Sequence, residues 1–437
     1  MKRAQLLRGL AFGSVIAVLA ACSTTRKSER PAELVEFQST AKIDRVWSAN
    51  VGSGAPKLRL GLSLAATGGT LFAASHSGVV VAFNQADGKR LWQTATRLPL
   101  TAGPGAGQGL VVLGASHGDI VALDAATGKI KWKAYVNSEL LSAPVIDHDV
   151  VVMRAVDGRV LALRASDGMQ LWSAEQQVPR LSLRGTARPS IVGDVIVSGF
   201  DNGRVQALQL ADGSAIWDTN VAPSAGRTEL ERLNDIDTAL AVRDNDVYAV
   251  TFQGKAAELD LATGQILWSH DASSYSGLVL DDNGVYISTA DGGLMKLNAA
   301  TGIETWSTKV LNHRRLSPPA LLGELIAVSD LQGFVHFFER DTGALAARMH
   351  ALATRAPATP LVIDNTLFML DAEGNIVALR ATRVAAGTGT NTKAGKPRAE
   401  KPADKATDKA TDKPTDSTPS APVEQTPREI VPHQLPR

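Results

Sequence analysis

A unit of about 40 residues recurs along this chain, and it constrains the fold more than any other feature of the sequence. Each copy contains a glycine followed by an alternating apolar run, and these glycines lie 40, 40, 45, 51, 38, 41 and 41 residues apart. The eight positions are Gly78, Gly118, Gly158, Gly203, Gly254, Gly292, Gly333 and Gly374. A period near 40 residues, built from short strands and tight turns, indicates a β-propeller.

A second signature follows the first seven of these glycines. An Asp-Gly or Thr-Gly pair comes next, and the fourth residue after its glycine is Trp in six copies and Ala347 in the seventh. Glycine adopts positive φ at no steric cost, so such pairs between alternating runs predict hairpin turns. With two more strands upstream, as at 143–146 and 150–154, each unit is predicted to be a four-stranded blade. The Trp is expected to cover the junction with the neighbouring blade.

The two ends of the repeat region complement each other. The last copy, Glu373–Leu379, lacks a fourth strand, whereas Ile43–Trp47 reads as a fourth strand without its first three. Pairing these ends completes one blade and removes the free edges of an open sheet. The predicted fold is therefore all-β, an eight-bladed β-propeller closed by the N-terminal strand in the last blade.

The N-terminus has the pattern of a bacterial lipoprotein signal. Lys2, Arg3 and Arg8 precede the apolar stretch Leu10–Val18, which is too short to span a membrane. A small-residue cleavage site ends at Cys22, the only cysteine of the 437 residues. These features resemble a lipobox, which implies lipidation of Cys22 and anchoring by several acyl chains. An ordinary secretory signal with an incidental cysteine is the alternative.

Composition limits the location and the partners. Ser23 rather than Asp follows the cysteine, which by resemblance to the bacterial sorting pattern favours the outer membrane. Removal of the three basic signal residues changes the formal net charge from +1 to −2, so no basic excess points to nucleic acid. A single cysteine also excludes an internal disulfide.

After about Ala381 the repeat pattern stops. The chain becomes rich in Lys, Thr, Asp, Ala and Pro, and such a segment cannot bury enough apolar surface to fold. We interpret it as a disordered tail, with a tether to peptidoglycan or to a partner as the alternative. The predicted organisation is a signal peptide at 1–21, a lipidated linker at 22–40, a propeller at 41–381 and a tail at 382–437.

Catalytic motifs are missing from the sequence. The eight histidines are scattered singly, and nothing resembles a phosphate loop, a nucleophile elbow or a cysteine metal motif. The repeats do resemble those of the pyrroloquinoline-quinone dehydrogenases, which carry a quinone and a calcium ion on eight blades. That resemblance covers the scaffold alone, and fold does not carry activity with it. We therefore expect no enzyme, cofactor or metal, and keep the quinone enzyme as an alternative.

Two insertions between blades are candidate binding loops, because insertions in a propeller map to one face. The first contains Leu181, Leu183 and Arg184, and the second contains Asp235 and Asp237. They belong to consecutive blade connections, so the two groups are expected to lie close together on one rim. Two other interpretations remain open: the leucines pack under their own loop while the aspartates cap turns, or the aspartates hold a divalent cation.

At these residues the chain resembles the BamB family, lipoproteins of the β-barrel assembly machinery, from residue 1 to about 380. The resemblance implies that the five loop residues bind the periplasmic polypeptide-transport-associated (POTRA) domains of BamA. It implies a lipid-anchored protein of the outer membrane that faces the periplasm and assists β-barrel assembly, with nascent outer-membrane proteins as further partners. The other alternative is a propeller lipoprotein that binds envelope ligands such as glycans.

Overall fold

The computed structural model describes residues 29–384, apart from positions 56, 59, 178, 180, 182, 184–186, 224–226, 229 and 232. The signal peptide, Cys22 and the tail beyond 384 lie outside the described residues. Within the described part the chain forms 33 strands and no helix, and so contains no helical segment suited to crossing a bilayer. The all-β prediction is confirmed.

The strands form eight sheets, which we number as blades 1 to 8. Two strands precede blade 1: β1 (Ala41–Asn50) and β2 (Gly61–Leu62). Blade 1 contains β3 (Ala65–Thr67), β4 (Thr70–Ala74), β5 (Val79–Asn84) and β6 (Arg90–Ala95). Blade 2 contains β7 (Leu100–Gly107), β8 (Leu110–Ala115), β9 (Asp119–Asp124) and β10 (Ile130–Tyr135). Blade 3 contains β11 (Val145–Asp147), β12 (Val150–Arg154), β13 (Arg159–Arg164) and β14 (Gln170–Glu175). Blade 4 contains β15 (Ser190–Val192), β16 (Val195–Gly199), β17 (Arg204–Gln209) and β18 (Ala215–Asn220).

The second half repeats this order. Blade 5 contains β19 (Ala241–Arg243), β20 (Asp246–Val250), β21 (Gly254–Asp260) and β22 (Ile266–Ala272). Blade 6 contains β23 (Leu278–Leu280), β24 (Gly284–Ser288), β25 (Leu294–Asn298) and β26 (Glu304–Thr308). Blade 7 contains β27 (Ala320–Leu322), β28 (Leu325–Ser329), β29 (Phe334–Glu339) and β30 (Leu345–His350). Blade 8 contains β31 (Leu361–Ile363), β32 (Thr366–Leu370), β33 (Asn375–Arg383) and β1.

Blade 8 closes the ring as the sequence predicts. Strand β1 pairs antiparallel with β33, and Trp47 lies opposite Ala378 while Arg45 lies opposite Leu379. Because every neighbouring pair inside a blade is antiparallel, successive strands run in opposite directions between the two faces of the ring. The loops from the fourth strand of one blade to the first strand of the next therefore share one side, which we call the connection face. The opposite side, which carries the Asp-Gly and Thr-Gly turns, is the turn face.

The repeat tryptophans join neighbouring blades. Each indole N–H donates a hydrogen bond of 2.7 to 3.1 Å to a backbone carbonyl at the turn face of the next blade. The ring also covers the glycine of the adjacent turn: a Cβ on Gly264 would lie 2.5 Å from the Trp217 ring. The donors are Trp47, Trp92, Trp132, Trp172, Trp217, Trp268 and Trp306. The predicted covering of blade junctions by these tryptophans is confirmed.

Ala347 occupies the one junction at which such a turn is missing. The third and fourth strands of blade 8 come from opposite ends of the described chain, so no hairpin turn joins them. A tryptophan there would have no turn glycine to cover. Ala347 is instead buried in the same cluster as Ala41, and the Thr40 N–H donates to the Ala346 carbonyl at 2.9 Å. The exception in the repeat therefore marks the point of closure.

The segment that precedes β1 packs along blade 7. Its first contacts lie at the connection face, where the Ala32 N–H donates to the Asn312 carbonyl at 2.9 Å. Further along, the Arg348 guanidinium donates to the Val35 carbonyl at 2.9 Å. The segment ends at the turn face, at Thr40. Residues 29–40, predicted as linker, are thus held against the propeller.

Candidate functional site

Two long connections flank blade 4 on the connection face. We call residues 176–189, between β14 and β15, loop A, and residues 221–240, between β18 and β19, loop B. Loop A contains Leu181 and Leu183, and loop B contains Asp235 and Asp237. Arg184, the fifth predicted contact, lies outside the described residues, as does Cys22.

A hydrogen bond joins the two loops. The backbone N–H of Leu183 donates to the Asp235 carboxylate, across a separation of 52 residues in sequence. The expectation that loop A and loop B meet on one rim is therefore confirmed at this pair. Leu183 is half-buried, whereas Leu181 is 44% exposed.

Asp235 is fully buried, with 0% of its surface exposed. Its carboxylate therefore lies beneath loop A, and this position excludes a direct partner contact in the described conformation. Burial raises the pKa of the Asp235 carboxyl to about 7, although the hydrogen bond from the Leu183 N–H lowers it. The nearby carboxylates of Asp237 and Asp201 raise the pKa further. The contact that the structure shows for Asp235 is thus with the backbone of loop A.

Asp237 lies near Asp235 but also borders the centre of the ring. It is half-buried and lines a cavity at the centre of the ring, together with residues from several blade connections. The two aspartates of loop B therefore have different surroundings, although the sequence pairs them. In the described part of the chain no group of three or more His, Cys, Asp or Glu side chains is placed to hold a metal ion.

Loop B is itself anchored to blade 4. The Ile236 N–H donates to the Phe200 carbonyl at 3.1 Å, and Ile236 is 1% exposed within an apolar cluster. Its side chain lies on Gly199, where an added Cβ would approach within 2.5 Å. The Asn234 side chain also donates to the Ala222 carbonyl, closing the loop on itself. Asp235 is consequently presented to loop A from a fixed backbone.

A buried ion pair lies near these loops. Arg154, at the end of β12, is 0% exposed and pairs with Asp201 at 2.5 Å. Its guanidinium also lies 4.8 Å from the centre of the Phe200 ring. The positive charge of Arg154 lowers the pKa of Asp235, so the three charged groups form one electrostatic cluster. Cations so deeply buried are found with counter-ions because desolvation is costly.

Sequence reasoning missed Arg154, although a signal exists. The last residue of the second strand is Ala, Ala, Arg, Gly, Val, Ser, Ser and Leu in blades 1 to 8, so Arg154 is the one charged residue at this repeat position. A charge at a position that the repeat keeps small or apolar predicts a buried ion pair.

The two loops also expose apolar side chains. Leu181 in loop A and Leu230 in loop B are 44% and 61% exposed. The alternative in which both leucines of loop A pack beneath it is therefore wrong for Leu181. Both side chains are therefore accessible to solvent.

A second charged cluster, in blade 7, is enclosed. Asp330 accepts from Arg314 at 2.7 Å and contacts the His336 Nε2 at 3.0 Å, and both Asp330 and His336 are 0% exposed. Burial lowers the pKa of His336. Asp330 also accepts from the backbone N–H groups of Gln332 and Phe334, so its carboxylate stabilises the turn after β28. The cluster has no access to a substrate and is structural.

Comparison with known sequences identifies relatives over most of the chain. A sequence model of the family described as "Outer membrane protein assembly factor BamB" matches residues 34–99, 76–308 and 287–411. The outer membrane protein assembly factor BamB of Pseudomonas aeruginosa is 41% identical over 363 residues, which covers 83% of this chain and 96% of the relative.

Solved structures support the same relationship. The crystal structure of BamB from Moraxella catarrhalis has a TM-score of 0.71 at 28% identity, and the match covers 78% of this chain and all of the other. A quinohemoprotein alcohol dehydrogenase from Comamonas testosteroni has a TM-score of 0.60 at 14% identity, covering 81% of this chain and 78% of the enzyme. This second likeness shows the fold alone.

Proposed function

Because this chain belongs to the BamB family of outer-membrane protein assembly factors, we propose that it is a non-catalytic scaffold that binds the POTRA domains of BamA through loops A and B. Its task is to assist the assembly of β-barrel proteins in the outer membrane. The observation that carries this proposal is the bond between the Leu183 N–H and the buried Asp235, because it fixes a loop that exposes a leucine.

Each loop residue has a distinct role in this proposal. Leu181 and Leu183 supply apolar side chains to the interface, and the backbone N–H of Leu183 sets the path of loop A. Arg184 forms a bidentate hydrogen bond with a carboxylate of the partner, a geometry that a guanidinium favours. Asp235 positions loop A from beneath. Asp237, also in loop B, borders the central cavity and supports the loop from that side.

The membrane anchor is expected on the same face as the loops. Residues 29–32 contact the connection between blades 6 and 7, where Glu29 lies 3.1 Å from His313. We propose that lipidated Cys22 attaches the protein to the outer membrane on its periplasmic side. Six residues lie between Cys22 and Glu29, and the seven steps along the chain span at most about 25 Å. The connection face then lies close to the membrane and to a partner that is embedded in it.

Two ways of assisting assembly are distinguishable. The protein orients the POTRA domains, or its outer strands accept nascent strands by β-augmentation. In the fourth strands of blades 1, 3, 4 and 5 the residue before Trp is aliphatic and 36% to 54% exposed, which suits an apolar client. The ladder is interrupted by a bulge at that residue, as between Ala82 and Phe83 opposite Leu91. Bulges protect edge strands from pairing, so the orienting role is the better supported one.

Affinity purification from native envelopes tests this function. A tagged full-length chain, solubilised with its membrane in mild detergent, should co-purify BamA as the principal partner. The control is the same purification from cells that carry the untagged chain. Recovery of a glycan or a soluble substrate without BamA would favour the envelope-ligand alternative. A rise in melting temperature with added quinone and Ca²⁺ would favour the dehydrogenase alternative.

A further inference from the structure

A cavity of about 290 Å³ opens at the centre of the ring, among the connections that lead into the first strands of the blades. This volume is close to the lower end of the range of about 300 to 1,000 Å³ that is typical of small-ligand pockets. None of the proposed roles of loops A and B uses this space, apart from the placement of Asp237 in its wall.

One wall comes from an insertion that the repeat does not predict. After β1 the chain crosses the connection face, and β2 adds to the inner edge of blade 2 by pairing in parallel with β7. Gly61 in β2 approaches so closely that an added Cβ would lie 1.5 Å from the Leu141 carbonyl oxygen. The insertion is thus packed tightly into the mouth of the channel, and Leu60 and Leu62 line the cavity.

The rest of the lining combines apolar side chains with hydroxyl groups, such as those of Ser63, Ser142 and Ser276, and with a few charged groups. Leu141, Leu316 and Pro357 continue the apolar wall from blade connections around the ring. Apolar surface next to polar groups lets a site hold a ligand that has both kinds of surface.

The charged groups are predominantly cationic. Arg188, Arg315 and Arg355 line the cavity, against the single carboxylate of Asp237. The side chains of Arg188 and Arg315 are exposed at the mouth of this cavity, and that of Arg355 is half-buried. In a chain whose formal net charge is +1, this local excess of two positive charges is a distinct feature.

Guanidinium groups recognise carboxylates and phosphates through charge-assisted hydrogen bonds. Three arginines against one carboxylate, beside the apolar side chains of the same cavity, favour a ligand that brings a negative head group together with an apolar part. We propose that the mouth of the central channel is a binding site for an amphiphilic anion, a carboxylate or phosphate head group that carries an aliphatic tail. The head group contacts Arg188 and Arg315, and the tail lies against Leu60, Leu62 and Leu316.

Calorimetric titration of the full-length chain tests this site with defined probes. Decanoate and decyl phosphate, kept below their micellar concentrations, represent the two head groups, and decanol represents the tail without charge. We expect one site per chain for at least one of the anions, and at least about tenfold weaker binding of decanol because charge-assisted hydrogen bonds are lost. Whichever anion binds more tightly identifies the head group. Inorganic phosphate should bind at least about tenfold more weakly than decyl phosphate.

Variants locate the binding. Arg188→Gln combined with Arg315→Gln should weaken the anions at least about tenfold. Arg97→Gln is the matched control, because Arg97 is exposed in a blade connection and does not line the cavity. It should bind as the unmodified chain does, and unchanged circular dichroism of both variants verifies the fold. Three results would overturn the proposal: no binding of either anion, equal binding of decanol, or undiminished binding by the Arg188 and Arg315 double variant.

Discussion

Co-purification of BamA should be lost in a variant that carries Leu183→Ala together with Arg184→Ala. Truncation of an interface anchor costs about 2 kcal/mol or more, so the loss of two anchors weakens binding about a thousandfold. The melting temperature should fall by no more than about a few degrees, because Leu183 is half-buried in a connection outside the blades. The measurement is the amount of BamA recovered with the tagged variant at matched expression.

The matched control for this prediction is Leu91→Ala. Leu91 is 54% exposed, so its removal takes away a similar side chain without touching the core. It begins the outer strand of blade 1 at the turn face, away from loops A and B. BamA should be retained by this control. Retention by the Leu183 and Arg184 double variant as well would show that the interface lies elsewhere.

Asp235→Ala should reduce BamA binding by about tenfold or more, although Asp235 itself is buried and out of reach of a partner. The substitution leaves the Leu183 N–H without its acceptor, and an unsatisfied buried donor costs about 1 to 3 kcal/mol. Loop A then loses its fixed path. Asp235→Asn retains an acceptor oxygen at the same place, so it should bind within about twofold of the unmodified chain. The measurement is the dissociation constant of each variant for the purified POTRA domains.

The stability of Asp235→Asn has a pH signature that reports the burial of the Asp235 carboxyl. The pKa of Asp235 is raised to about 7, so the folded state takes up a proton that the unfolded state lacks between about pH 4 and 7. The free energy of unfolding contributed by this group therefore decreases as pH rises through that window and is lowest above it. Asp235→Asn removes the ionisation, so its melting temperature should be higher than that of the unmodified chain at pH 8.

Two outcomes would contradict the positioning role. Binding by Asp235→Ala that equals the unmodified chain would show that loop A does not need its support. An equal loss of affinity in Asp235→Ala and Asp235→Asn would show that binding depends on the charge of Asp235 rather than on its acceptor oxygen.

The repeat pattern determined the fold prediction in detail. The residue types at Gly118, Gly128 and Trp132 recur with the same spacing because each blade packs against a similar neighbour. The structure predicted for one repeat therefore applies to the other copies. The pairing of the strand that contains Trp47 with the strand that contains Leu379 was predicted by counting the strands at the two ends of the repeat region. Even the exception at Ala347 has a structural cause, because its junction lacks the turn that tryptophan covers.

The site was predictable in position and less so in detail. Chain topology places loops A and B on one face of consecutive blades, which is why Leu183 and Asp235 meet. Burial of Asp235 depends on how loop B packs on Gly199 through Ile236, and no periodic signal carries that contact. The path of β2 into the channel mouth also lies outside the repeat. A sequence without periodicity leaves such a segment undetermined, and the cavity that it walls could not be anticipated.

Photo-crosslinking from loop A tests the central claim most directly. A photoreactive amino acid at Leu181, exposed on the connection face, should form a covalent adduct with the periplasmic POTRA region of BamA in intact cells. The same residue at Leu91, equally accessible on the turn face, should form none. An adduct with BamA from position 91 and none from position 181 would contradict the proposed interface.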